Sequence, residues 1–148
     1  MEKLDSIIFY NIDKAIRAYR NYAQRQLREN GFNITIDQWL IIKALLENPE
    51  ITQNEIGNLV FKDNASVTRI IELLVKSGFI TRKVHPTDRR KTNLSVTKSG
   101  KDIIEKVQNL VKNNRSVALQ NVSRQELKIM NTTLLKIAEN CINTKNKS

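Results

Sequence analysis

The side chains best suited to chemistry in this sequence are cations, amides and hydroxyls set close together, not nucleophiles or metal ligands. Asn64, Ala65, Ser66, Thr68 and Arg69 follow one another closely, and at helical spacing they lie opposite or beside the apolar positions Val67 and Ile71. A guanidinium such as that of Arg69 forks onto guanine O6 and N7, an Asn64 amide pairs with adenine, and the Ser66 and Thr68 hydroxyls suit phosphate or thymine. Asp88, Arg89, Arg90 and Lys91 form a second polar cluster, whose planar cations suit the narrow groove of a duplex, with Asp88 orienting one arginine. Thr52, Gln53 and Lys62 are candidate contacts to a phosphate backbone. Each cluster also has a plain reading, a solvated helix face in one case and an ordinary Pro86-Thr87-Asp88 turn in the other.

Charge favours the first reading. The chain has 148 residues, with 25 Lys and Arg against 15 Asp and Glu. Between Lys62 and Lys101 ten cations face three carboxylates, so +7 of the total +10 lies in about a quarter of the molecule. Such a field suits nucleic acid or an anionic membrane surface. The length is that of one domain, and 40% hydrophobic residues exclude wholesale disorder. No apolar run exceeds four residues, and the first residues lack a basic region followed by an apolar one, so neither a membrane span nor a secretory signal is expected. One cysteine, Cys141, and one histidine, His85, leave no internal disulfide and no Cys/His zinc cluster, which implies a cytoplasmic protein without metal or other cofactor.

The elements that must position these clusters are legible from periodicity. Four glycines and two prolines favour helices. Leu4, Ile8, Ile12, Ala15, Tyr19, Tyr22, Ala23 and Leu27 form one helical stripe ending at Gly31, a rod of roughly 40 Å that exceeds what one small domain covers. Thr35-Ile36-Asp37-Gln38 is a capping box opening a helix with Trp39, Ile42, Leu45 and Leu46 inward and Asn48-Pro49 as its stop. Thr52-Gln53-Asn54-Glu55 opens a short helix with Ile56, Leu59 and Val60 inward. Asp63 or Asn64 caps the next, whose inward stripe is Val67, Ile70, Ile71, Leu74 and Val75, ending at Gly78. The period then changes to two at Ile80 and Val84, and again at Leu94 and Val96, predicting a hairpin with a polar tip. Helical period resumes after Thr97 with Ile103, Ile104, Val107, Leu110, Val111, Val117 and Ala118. Ser123-Arg124-Gln125-Glu126 caps a last helix with Leu127, Met130, Leu134, Ile137, Ala138 and Cys141 inward. The expected fold is mainly α with a small β-hairpin: a winged helix-turn-helix lobe over residues 35–97, flanked by dimerisation helices at 1–31 and 101–143, and a frayed tail at 144–148.

The stretch Asp63-Asn64-Ala65-Ser66-Val67-Thr68-Arg69-Ile70-Ile71, the helix exit Gly78-Phe79-Ile80-Thr81-Arg82, and Asp88-Arg89-Arg90 followed by Leu94-Ser95-Val96-Thr97-Lys98-Ser99-Gly100 resemble the multiple-antibiotic-resistance regulator (MarR) family. The resemblance runs the whole length. Its most specific local motif is the Asp-x-Arg of the wing, here Asp88 and Arg90. It implies a sequence-specific transcriptional regulator of double-stranded DNA, a homodimer built through the terminal helices, a palindromic operator and repression. Two positions depart from the family pattern: His85-Pro86 stands where Asp-Pro is common, and Val96 where Leu is usual.

The resemblance also implies a small aromatic or lipophilic effector. Tyr19, Tyr22, Arg25 and Trp39 are candidate walls of its crevice, although their spacing equally describes core and interface residues. Cys141, on an inward stripe, reads as packing. No arrangement of nucleophile and base, carboxylate pair or glycine loop suggests an enzyme. The alternative is a non-regulatory winged-helix module for protein contacts or nonspecific chromosome binding. Membrane binding ranks behind both, because the positive charge lies on short globular elements.

Overall fold

The computed structural model describes residues 1–84, 87 and 92–144 of the chain. Six helices and one antiparallel hairpin follow in the order α1 (Ile8–Glu29), α2 (Ile36–Glu47), α3 (Gln53–Val60), α4 (Asn64–Lys76), β1 (Ile80–Val84), β2 (Thr92–Val96), α5 (Lys98–Ala118) and α6 (Arg124–Asn143). They divide into two compact units, Met1–Asn114 and Arg115–Ser148.

In the first unit, the expected rod from Leu4 is interrupted. Leu4–Ser6 forms a single 3-10 turn, and Ile7 is extended before α1 begins. Local hydrogen bonds explain the break: Ser6 Oγ donates to the Lys3 carbonyl at 2.7 Å and Asn11 Nδ2 to the Asp5 carbonyl at 2.9 Å. Such side chains offer the backbone an alternative to helix. The 22 residues of α1 span about 33 Å.

The Thr35 and Gln38 side chains complete the expected capping box of α2. This helix is apolar nearly all round and buries Ile41, Ile42, Ala44 and Leu45. Ile56 and Val60 from α3, Val67, Ile71 and Leu74 from α4, Ile80 from β1, Leu94 from β2 and Val107 from α5 join them in one core. Each fully buried aliphatic side chain of this set contributes about 1.5–3 kcal/mol. Three expected core positions lie outside it: Leu59, Val75 and Val84 are exposed. In the eight-residue α3 the inner face is completed by Gly57, and Leu59 falls beyond it. In α4, Val75 projects past the flank of the Val67–Ile71–Leu74 row, and in β1 only Ile80 is buried.

The hairpin pairs Ile80 with Val96 and Arg82 with Leu94. Its base is tied to α5 by Thr97, whose amide donates to the Phe79 carbonyl at 3.0 Å and whose hydroxyl donates to the Gly78 carbonyl at 2.6 Å. The same hydroxyl accepts the Gly100 amide at 3.0 Å, which caps α5.

In the second unit, Ser123 and Glu126 complete their capping box. Leu127 and Ile137 are half-buried, whereas Met130, Leu134, Ala138 and Cys141 are exposed, contrary to the inward stripe expected of them. Val117 and Ala118, at the end of α5, are likewise exposed. A stripe at helical period marks a face that packs, but does not say on which chain.

Gly100 supplies a test of the junction. A Cβ there would press on the Phe79 carbonyl oxygen and come within 2.7 Å of Val96 Cγ1. Alanine is the better helix former by about 1 kcal/mol, yet Gly100→Ala should lower stability by about 1–3 kcal/mol because backbone must move to admit the methyl. Thermal unfolding of the variant reads the sign.

Candidate nucleic-acid interface

α3 and α4 meet at a tight corner. Lys62 donates its amide to the Gly57 carbonyl at 2.9 Å, closing α3 while Phe61 between them takes the left-handed conformation at φ +60°. The closure is a Schellman motif. A Cβ on Gly57 would lie 2.8 Å from the Lys62 carbonyl oxygen, so the corner needs glycine at that point. Asp63 then caps α4, its carboxylate accepting the Ser66 amide at 2.7 Å.

The cap orients the polar end of α4. Asn64, Ala65 and Arg69 are exposed, and Ser66 and Thr68 are half-buried on the flanks. Arg69 donates to Ser66 Oγ at 3.3 Å, which lays the guanidinium along the first turn. Thr68 Oγ1 accepts from Gln53 Nε2 at 2.6 Å and so links α4 to the start of α3. Of the candidate backbone contacts, Thr52 caps α3, but its box with Glu55 is altered. The Glu55 carboxylate accepts the Thr52 hydroxyl at 3.0 Å, where the expected box has it accept the Thr52 amide.

Lys62 is held by a partner that spacing did not indicate. Its Nζ lies 3.5 Å from one Asp37 oxygen, while Arg20 of α1 donates to the other at 2.6 Å. Asp37 reads in sequence as an acidic residue in the first turn of a helix, and nothing local names its two distant partners. The carboxylate ties α1, α2 and the α3–α4 corner together.

Thr52, Gln53 and Asn64 share one open cavity of about 980 Å³ with Leu94 and Lys101. Lys101 is a cation of this surface that sequence reasoning did not single out. It is exposed, as are Arg69, Lys76, Arg82, Lys83 and Lys98, and together they give this lobe its positive field. The wing candidates Asp88, Arg89, Arg90 and Lys91 lie outside the described residues.

The proposed crevice residues line neither the cavity of about 980 Å³ nor a second one of about 460 Å³. Tyr19, Tyr22 and Trp39 are half-buried. Arg25 stands 5.8 Å from the Tyr22 ring centre, and Lys43 stands 6.0 Å from that of Trp39. Trp39 Nε1 is buried without an acceptor among the described residues.

A short helix, a tight corner, a second helix with an exposed polar N-terminal half, and a hairpin in a basic field define a winged helix-turn-helix protein. Residues 34–92, which run from just before α2 to the start of β2, match the profile of the MarR family. The chain is 28% identical over 113 residues to the HTH-type transcriptional regulator SarZ of Staphylococcus saprophyticus, covering 76% of this chain and 73% of that protein. A probable transcriptional regulator from Pseudomonas aeruginosa superposes with a TM-score of 0.80 at 26% identity, covering 91% of this chain and 99% of that one. The S. aureus MepR–DNA complex has the same fold, with a TM-score of 0.80 at 20% identity over 90% of this chain and 98% of that one. Residues 34–92 carry the match to the MarR family, and with this fold they mark a DNA-binding transcriptional regulator. Among the described residues, no helix is long and apolar enough to cross a membrane.

The cap of α4 titrates. The Asp63 carboxyl is held below its ordinary value, first by the Ser66 amide and then by the Ser66 hydroxyl, with a smaller pull from the Arg69 charge. Because the folded value is depressed, the stabilisation is complete above the unfolded carboxylate range and is lost as pH falls through the folded value. Asp63→Ala should therefore be less stable than the parent at neutral pH, and the two urea midpoints should converge in acid. A deficit independent of pH would show that the charged cap is not what holds this end of α4.

Proposed function

We propose that the chain acts in the cytoplasm as a homodimeric repressor of a palindromic operator, released by a small aromatic or lipophilic effector. The observation that carries this reading is the exposed polar half of α4, presented by a capped corner in a basic field. Asn64, Ala65, Ser66, Thr68 and Arg69 read base edges in the major groove, with Arg69 and Asn64 supplying the contacts able to make two hydrogen bonds each. Thr52, Gln53 and Lys62 hold the phosphate backbone. Because Gln53 already donates to Thr68 and Lys62 pairs with Asp37, phosphate competes with those partners when DNA arrives. The wing residues Asp88, Arg89, Arg90 and Lys91 reach the minor groove, Asp88 orienting an arginine.

Dimerisation is supported by apolar residues that the single chain leaves exposed: Ile8, Phe9 and Ile16 on α1, and separately Ile129, Leu135 and Ile142 on α6. A second copy covers each face. The effector crevice is assigned to Tyr19, Tyr22, Arg25 and Trp39. The Trp39 indole N–H, which has no acceptor among the described residues, and the Arg25 cation suit an aromatic compound with an acidic or carbonyl oxygen.

Selection of bound DNA from a random pool tests the reading. Arg69→Ala and Asn64→Ala should each relax the selected motif at two symmetric positions, by about 1–3 kcal/mol of discrimination. Their melting temperatures should stay close to the parent's, since both side chains are exposed. Variants that keep the parent's full preference would remove α4 from the role of reader.

A further inference from the structure

Phe61 departs from the ordinary rules of folding twice. The same closure ends α1, α3 and α4, with amide-to-carbonyl bonds from Phe32 to Leu27, Lys62 to Gly57 and Phe79 to Leu74. At the left-handed position of that closure α1 has Gly31 and α4 has Gly78, but α3 has Phe61. A residue with a Cβ is disfavoured there. The ring recovers nothing by packing, because Phe61 is 91% exposed, and nearby Leu59 is 58% exposed.

The position of this departure restricts what it can serve. Phe61 precedes Asn64 by three residues, so their Cα atoms lie within about 11 Å of each other. An element that enters a major groove about 12 Å wide brings a side chain tethered so closely to the groove's edge. Lys62, the next residue, and Arg69, on the exposed face of α4, are exposed cations. They favour a polyanion over an apolar protein face as the surface this ring meets. Phenylalanine is among the side chains that make apolar contact with the C5-methyl group of thymine.

We propose that Phe61 is a DNA-contacting residue whose ring packs on a thymine methyl at the edge of each half-site, and that the left-handed backbone at Phe61 aims it there. The proposal rests on the reading that α4 enters the major groove, and it adds a specificity contact from outside α4.

The test compares the parent with Phe61→Asn, which keeps a residue tolerant of the left-handed conformation and removes the ring. Each is taken through random-pool selection and then titrated with the parent's selected duplex, made with thymidine or with deoxyuridine at single positions. For the parent, loss of the contacted methyl should weaken binding about fourfold. Phe61→Asn should bind the thymidine duplex more weakly than the parent, show no such sensitivity at that position, and melt no lower than the parent. A parent indifferent to every uracil substitution overturns the proposal whether or not the variant folds. So does a Phe61→Asn chain with the parent's affinity and motif, which would leave the ring to a protein partner. A parent that selects no sequence at all overturns the reader role of α4 itself, and is thereby distinguished from a failure confined to Phe61.

Discussion

The bond from the Lys62 amide to the Gly57 carbonyl fixes where α4 points, and the rest of the lobe is arranged around that closure. It reverses the chain after only eight residues of α3 and brings the start of α4 against it, so close that a methyl on Gly57 has no room. Asp63 follows at once as the cap, and the Arg20–Asp37–Lys62 group ties the outside of the corner to α1 and α2. Each of these contacts is modest in energy, because the ion pairs are partly exposed. Their joint effect is geometric. A side chain that reads a base edge must be held to within a fraction of its own length, and a corner fixed by backbone, glycine and cap meets that requirement better than any one strong bond.

The second end of α4 is fixed as firmly. Gly78 turns the chain into β1, and Thr97 returns from β2 to bond the Gly78 carbonyl while capping α5. The hairpin therefore departs from the end of α4 opposite to the one proposed to read bases. This separation suits a division of labour in which the helix sets sequence preference and the arm adds affinity through charge.

Much of this was legible in the sequence wherever a local rule is strong. Thr35 with Gln38 and Ser123 with Glu126 announced two helix starts, Gly31 and Gly78 announced two ends, and the change of period after Gly78 announced the hairpin. The failures have physical causes. Eight residues give α3 too few turns for a period to define its inner face, so spacing points Leu59 inward while Gly57 holds that place. In α2 apolar residues surround the helix, and a stripe through Trp39, Ile42, Leu45 and Leu46 leaves out Ile41, which is fully buried. Phe61 carries no local sign of a left-handed conformation that glycine ordinarily marks. The partners of Asp37 and the Gln53–Thr68 bond are products of tertiary packing, which no spacing rule reaches. The period of α6 predicts an inward stripe, yet Met130, Leu134 and Cys141 are exposed; helical period marks an apolar face without saying what covers it.

The central claim, that two copies of this lobe place two α4 helices in successive turns of the major groove, is tested most directly by a hydroxyl-radical footprint of the chain on its selected duplex. Two protected patches on one face, centred about 34 Å apart or a multiple of that, are the expected result. A single protected patch, or protection spread evenly along the duplex, would contradict it.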